Sequence, residues 1–135
     1  MNINFMTWAG VTLSMAEHIA EDGGRPLCFA IVDSSGSLVH LYRMNDAPQR
    51  LVTIAMGKAY SSSRMEMPTA LFRQRLLEEQ LSLGDFKDDG LTSLPGGQPL
   101  FDDGKLIGAV GVSGRTLEED EVLSLQFAQR IQAAL

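Results

Sequence analysis

Four side chains in this sequence are of the types that a small catalytic or anion-binding site needs: Asp33, His40, Arg43 and Lys58. Arg43 and Lys58 could grip an anion while Asp33 or His40 moves a proton, which suits a small enzyme acting on an organic acid or aldehyde. The plainer expectation is that the two cations pair with carboxylates or carry subunit contacts. His40 falls inside an alternating strand, where a neighbour's hydrogen bond normally holds a core or groove histidine. His18 stands among Glu17, Glu21 and Asp22, as a surface histidine does. No stronger motif competes: the P-loop, HExxH, CxxCH and zinc-spaced Cys/His patterns are all missing. Gly111-Val-Ser-Gly114 lacks the G-x-S-x-G spacing, and two histidines leave little room for a triad. Ser113 reads as a strand-end residue before a glycine turn. The amides of that turn could meet a carboxylate or phosphate, although Asp120 and Glu121 already bring negative charge there.

These residues must be positioned by a small set of elements, and the stretch from Gly96 to Glu121 organises them. Lys105 to Ser113 is an apolar run bounded by turn residues, which predicts a strand buried on both faces. Gly108 and Gly111 inside it ask for close packing by a helix or a bound molecule. Asp102-Asp103-Gly104 predicts a hairpin turn from Gln98–Phe101. Thr116-Leu-Glu-Glu119 reads as a capping box opening the last helix.

Earlier in the chain, Phe5 to Asp22 predicts a helix with two apolar rows. One holds Phe5, Ala9, Leu13, Ala16 and Ala20; the other holds Trp8, Val11, Met15 and Ile19, with His18 beside it. The sheet can cover one row, which leaves the other to a partner subunit or a ligand. Leu27–Asp33 and Ser37–Arg43 make a first hairpin around Ser34-Ser35-Gly36. Helices follow from Pro48 to about Ser63 and from Pro68 to about Leu81. Residues 83–95 form a loop long enough to suggest function or mobility. The order is helix, hairpin, two helices, hairpin, helix: an α+β fold with helices packed on an antiparallel sheet.

At 135 residues the chain suits one domain, 1–135. A net charge of −6 disfavours nucleic acid and anionic membrane surfaces as partners. Cys28 is the single cysteine, which excludes an intramolecular disulfide and fits a reducing compartment. MNINFMTWAG has neither a basic n-region nor a continuous apolar stretch, so no signal peptide is expected. No segment has the length of a membrane span. A cytoplasmic protein is the resulting expectation.

The segments VDSSGSLVHLYRMNDA, IAMGKAYSSS, MPTALF and GGQPLFDDGKLIGAVGVSG follow one another as in the GlcG/HbpS family. The chain resembles that family over nearly its whole length. Asp33, Gly36, Arg43, Lys58, Ala59, Pro68, Thr69, Gly96, Gly97, Pro99, Gly104, Gly108, Gly111, Ser113 and Gly114 fall on motif positions, whereas His18 and His40 do not. The family includes haem-binding proteins and the C-terminal domain of PduO-type corrinoid enzymes. The resemblance therefore implies a profilin-like fold, a homo-oligomer, and a non-catalytic module binding haem or another tetrapyrrole. Its role would be that of carrier, sensor or accessory to a metabolic pathway such as that of cobalamin. Haem would be held without covalent attachment, since CxxCH is missing. In that reading His18 is the axial ligand of the iron, Trp8 and Met15 shelter the ring with Ile19, and Arg43 or Lys58 meets a propionate.

Overall fold

The computed structural model describes residues 3–135, so Met1 and Asn2, where the signal-peptide reading begins, lie outside it. The first helix, α1, spans Phe5–Ile19, capped by the Asn4 side chain and followed by a 3-10 turn at Ala20–Asp22. Then come strands β1 (Cys28–Asp33) and β2 (Leu38–Arg43), helices α2 (Arg50–Met65) and α3 (Thr69–Glu79), strands β3 (Gly97–Asp102) and β4 (Lys105–Ser113), and helix α4 (Leu117–Ala133). This is the α+β order that the sequence predicts, with boundaries moved by up to three residues. The four strands are antiparallel in the order β2-β1-β4-β3, so β1 and β4 are central.

The sheet separates two unlike interiors. Phe29 and Ile31 of β1 and Val110 and Val112 of β4 join Trp8, Met15 and Ile19 of α1 and Phe127 and Ile131 of α4 in one core. On the opposite side Cys28, Ala30, Val32 and Ala109 meet Leu51, Ala55 and Ala59 of α2. That second face is made of small residues, and the reason is steric. A Cβ placed on Gly111 would strike the Ala55 carbonyl oxygen and come within 2.8 Å of the Ala59 nitrogen. The backbone of α2 lies on β4 at a distance only glycine permits.

Gly108 plays the same part on the first face, where its Cβ would sit 3.1 Å from the Trp8 indole. This contact decides which row of α1 turns inward. Trp8, Met15 and Ile19 are buried against the sheet, while Phe5 and Leu13 of the other row are exposed. The expected cleft beside Trp8, Met15 and Ile19 is therefore filled by the core, and the open row is the one carrying Leu13.

The capping box forms as read: Thr116 Oγ1 accepts from the Glu119 amide at 3.1 Å, and Glu119 accepts from the Thr116 amide. Residues 83–95, the loop read as long enough for function or mobility, are fastened to the rest of the chain. They contain a 3-10 turn at Leu83–Phe86, Leu91 packs with Phe72 and Leu76, and Ser61 accepts the Thr92 amide at 2.8 Å. The Tyr60 ring fixes the segment further, lying between Gly36 and Gly90 so closely that a Cβ on either would sit 2.8 Å from it.

Candidate functional site

The charged centre of the molecule is Lys58. It lies on the α2 face that meets β4, and its ammonium donates to the Val112 carbonyl at 2.8 Å and to Asp120 Oδ2 at 3.1 Å. Asp120 also accepts the amides of Gly114 and Arg115, at 3.3 and 3.0 Å. The amides of the glycine turn before α4 thus have their anion within the chain. Burial lowers the basicity of Lys58, and the Asp120 carboxylate works against that shift. The ammonium has no free face for a ligand.

Glu121 sits next to this pair with a different balance. Burial pushes its carboxyl above the usual carboxylate range, countered in part by hydrogen bonds from the Gly96 amide and the Gln98 amide group. Gln98 Nε2 reaches Glu121 at 2.8 Å and Ser124 Oγ at 3.2 Å. Close approach is again required: a Cβ on Gly96 would stand 2.8 Å from the Lys58 nitrogen. The result is a satisfied polar network that holds Gly96–Gly97, β4 and the start of α4 together.

The other residues singled out in the sequence do not gather around it. Asp33 Oδ1 accepts the Ser35 and Ser37 amides at 2.9 and 3.0 Å and so closes the β1–β2 turn. Arg43 is exposed at the end of β2, donating to the Ala47 carbonyl at 3.1 Å. With Lys58 inside and Arg43 outside, the two cations do not form one anion grip. Trp8 and Met15 are each 1% exposed beneath α1, whereas His18 is exposed in the last turn of that helix. His40 is half-buried, with its Nε2 enclosed and unpartnered; burial lowers its basicity.

Two of the surface grooves bear on these residues. The larger, about 770 Å³, is polar and lies among Ser34, Ser35, Tyr60, Ser63, Arg64 and Lys105. The second, about 530 Å³, runs along α1 between Leu13, Ala16 and Ala20 on one wall and Tyr42, Met44 and Pro26 on the other. His18 is not among its walls; it faces the other flank of the helix.

The sequence places Asp120 and Glu121 at the glycine turn but not beside Lys58, and Gln98 and Ser124 escape a sequence reading of the site. The available signal was Lys58 itself, a lysine on an apolar helix face beside Leu51, Ala55 and Ala59, which demands a buried acid. Asp120 is the carboxylate one turn into the capped helix.

A four-stranded antiparallel sheet with α1 and α4 on one face and α2 on the other, stitched by a buried lysine, defines a small α+β module. Residues 8–129 match the family described as haem degrading protein HbpS-like, and the chain belongs to that family. It is 30% identical to the GlcG protein of Escherichia coli K12 over 105 residues, covering 78% of this chain and 77% of that one. It superposes on the Klebsiella pneumoniae protein ORFY with a TM-score of 0.83 at 27% identity, over 98% of this chain and 92% of that one. PduOC, solved as a haem complex, has the same fold, with a TM-score of 0.75 at 24% identity over 100% of this chain and 94% of that one. Among the described residues, no helix is long and apolar enough to cross a membrane.

Proposed function

We propose that this chain is a non-catalytic module that binds haem, or a related tetrapyrrole, in a homo-oligomer. The observation that carries the haem part of this reading is the family match across residues 8–129, to a family described as haem degrading. PduOC adds that a protein of this fold accommodates the ring. Haem supplies an iron centre whose ligands set what it does; the protein supplies binding and orientation.

The residues fit the group in a specific way. His18 offers an exposed imidazole as axial donor, and Arg43 is an exposed cation able to meet a propionate. Lys58 is committed to Asp120 and leaves that role to Arg43. Trp8 and Met15 seat the helix that presents His18, since the core already covers them. The groove along α1 and His18 lie on two flanks of the helix, so a second protomer is needed to close a slot over the iron ligand. The exposed Phe5, Met6 and Leu13 of α1 and Val122 and Leu125 of α4 offer apolar surface for that contact. A histidine ligates in its neutral form, so acid weakens a bond of this kind.

The test is a haem titration of wild type and His18→Ala followed by Soret absorbance. A saturable shift in wild type that weakens at least tenfold in His18→Ala is expected. A wild type without a saturable shift would remove haem from the account. An undiminished shift in His18→Ala would keep haem and move the iron to another donor.

A further inference from the structure

His40 carries an unbalanced group on the sheet face that α1 covers. It pairs with Ile31 across the β1–β2 ladder, so it shares that residue's side of the sheet. Its Nε2 is enclosed and has no hydrogen-bond partner. The core on this face is apolar. The residues α1 buries are Trp8, Thr12, Met15, Ala16 and Ile19, all neutral. From β1 and α4 the same core receives Phe29, Ile31, Phe127, Ala128 and Ile131. On β2 the ionisable neighbour on this side is Tyr42; on β1 Asp33 follows two residues after Ile31, with its Oδ1 held by the Ser35 and Ser37 amides. Glu17 and Asp46 line the groove at the rim, and Arg43 is exposed at the end of β2.

A neutral imidazole tolerates this position by keeping its proton on the outer nitrogen, leaving an enclosed lone pair. A second proton creates a cationic donor with no acceptor, and a buried unpaired charge forces either neutralisation or exposure. The element able to give way is α1. It stands at the edge of the described chain with its outer row already exposed, and Gly23 follows it with a left-handed φ of 74° in open space. Its C-terminal end is fastened: Arg115 grips both oxygens of Asp22 at 2.7 and 2.8 Å and donates to the Arg25 carbonyl.

We propose that His40 is an acid-sensitive latch: protonation of its enclosed nitrogen swings α1 off the sheet about the Asp22–Arg115 clamp and opens the apolar face beneath. The sign is fixed by the burial. The native state holds this imidazole neutral, so docking is complete above about pH 6.5 and is lost as pH falls below that value. The latch stands whether or not the protein binds haem.

Trp8, the single tryptophan, reports the event because it leaves the Gly108 contact when α1 lifts. The experiment records Trp8 emission from pH 8 to pH 5, together with the His40 imidazole titration by NMR and hydrogen exchange of the β1 and β4 amides. A reversible red shift is expected, with a midpoint below 6.5 that coincides with the His40 titration, while the sheet amides stay protected. The shift persists in His18→Ala and disappears in His40→Gln. Constant emission, a shift that survives in His40→Gln, or a His40 midpoint away from the emission midpoint would overturn the latch. So would loss of sheet protection in the same step. Should His40→Gln not fold, the wild-type coincidence and the sheet amides decide alone.

Discussion

Lys58 and Asp120 lie 3.1 Å apart with side chains only 1% and 2% exposed, and they join helices from opposite faces of the sheet. The attraction offsets two desolvation costs, so its value appears when one partner is removed. Lys58→Met leaves a buried carboxylate without its cation and is expected to destabilise the fold by about 3–5 kcal/mol in urea unfolding. In the cycle with Asp120→Asn the double variant should lose less than the sum of the singles. Additive losses would mean that the pair is incidental to the packing.

Gly111 and Gly108 separate two kinds of close approach. Gly111→Val must push α2 backbone away from β4, whereas Gly108→Val meets the Val32 carbonyl oxygen of the neighbouring strand and then the Trp8 ring. Each should cost on the order of 1–3 kcal/mol or more through overpacking. Only the Gly108 variant should also shift Trp8 emission at neutral pH. An unchanged melting temperature in both would show that the glycines are idle.

The Asp22–Arg115 clamp predicts an acid limb. The two hydrogen bonds from Arg115, with help from the Gly24 amide, hold the Asp22 carboxyl down at about 2. A depressed carboxylate contributes stability above its ordinary value of 3.8, and that contribution is lost as pH falls from there toward about 2. In Asp22→Asn the melting temperature should fall less steeply across this window than in wild type, with Asp22→Glu intermediate. Parallel curves would assign the acid limb to other carboxylates.

The exposed row on α1 gives the assembly prediction. Size exclusion with light scattering should report a mass well above the 14.7 kDa chain. Leu13→Glu, placed on the open face, should reduce that mass while leaving the melting curve cooperative. A wild-type monomer at micromolar concentration would exclude the oligomer.

The strands and helices were legible because each rests on local signals: the apolar run of β4, the capping box at Thr116, the paired glycine turns. The inward row of α1 was not, because two apolar rows satisfy the same period. The choice falls to Gly108, distant in sequence, where the indole finds room. Lys58 was visible as a cation on an apolar face, yet its acid lies 62 residues away. The enclosed nitrogen of His40 could not be read either, since alternation gives a side and not a partner. The packing of segment 83–95 was not legible because Tyr60, which pins it, belongs to another element.

Cys28 gives the molecule a built-in clock. It is fully buried on the small-residue face under α2, and burial pushes its thiol up to about 11. Thiol reagents need both access and a thiolate, and the native state denies both. Alkylation of the single cysteine therefore counts the moments when α2 leaves the sheet. Under conditions of rapid reclosing, its rate is the intrinsic rate of a free thiol multiplied by the population of that open state. Displacement of α1 alone leaves this clock stopped, which gives the two faces of one sheet separate and independently readable lifetimes.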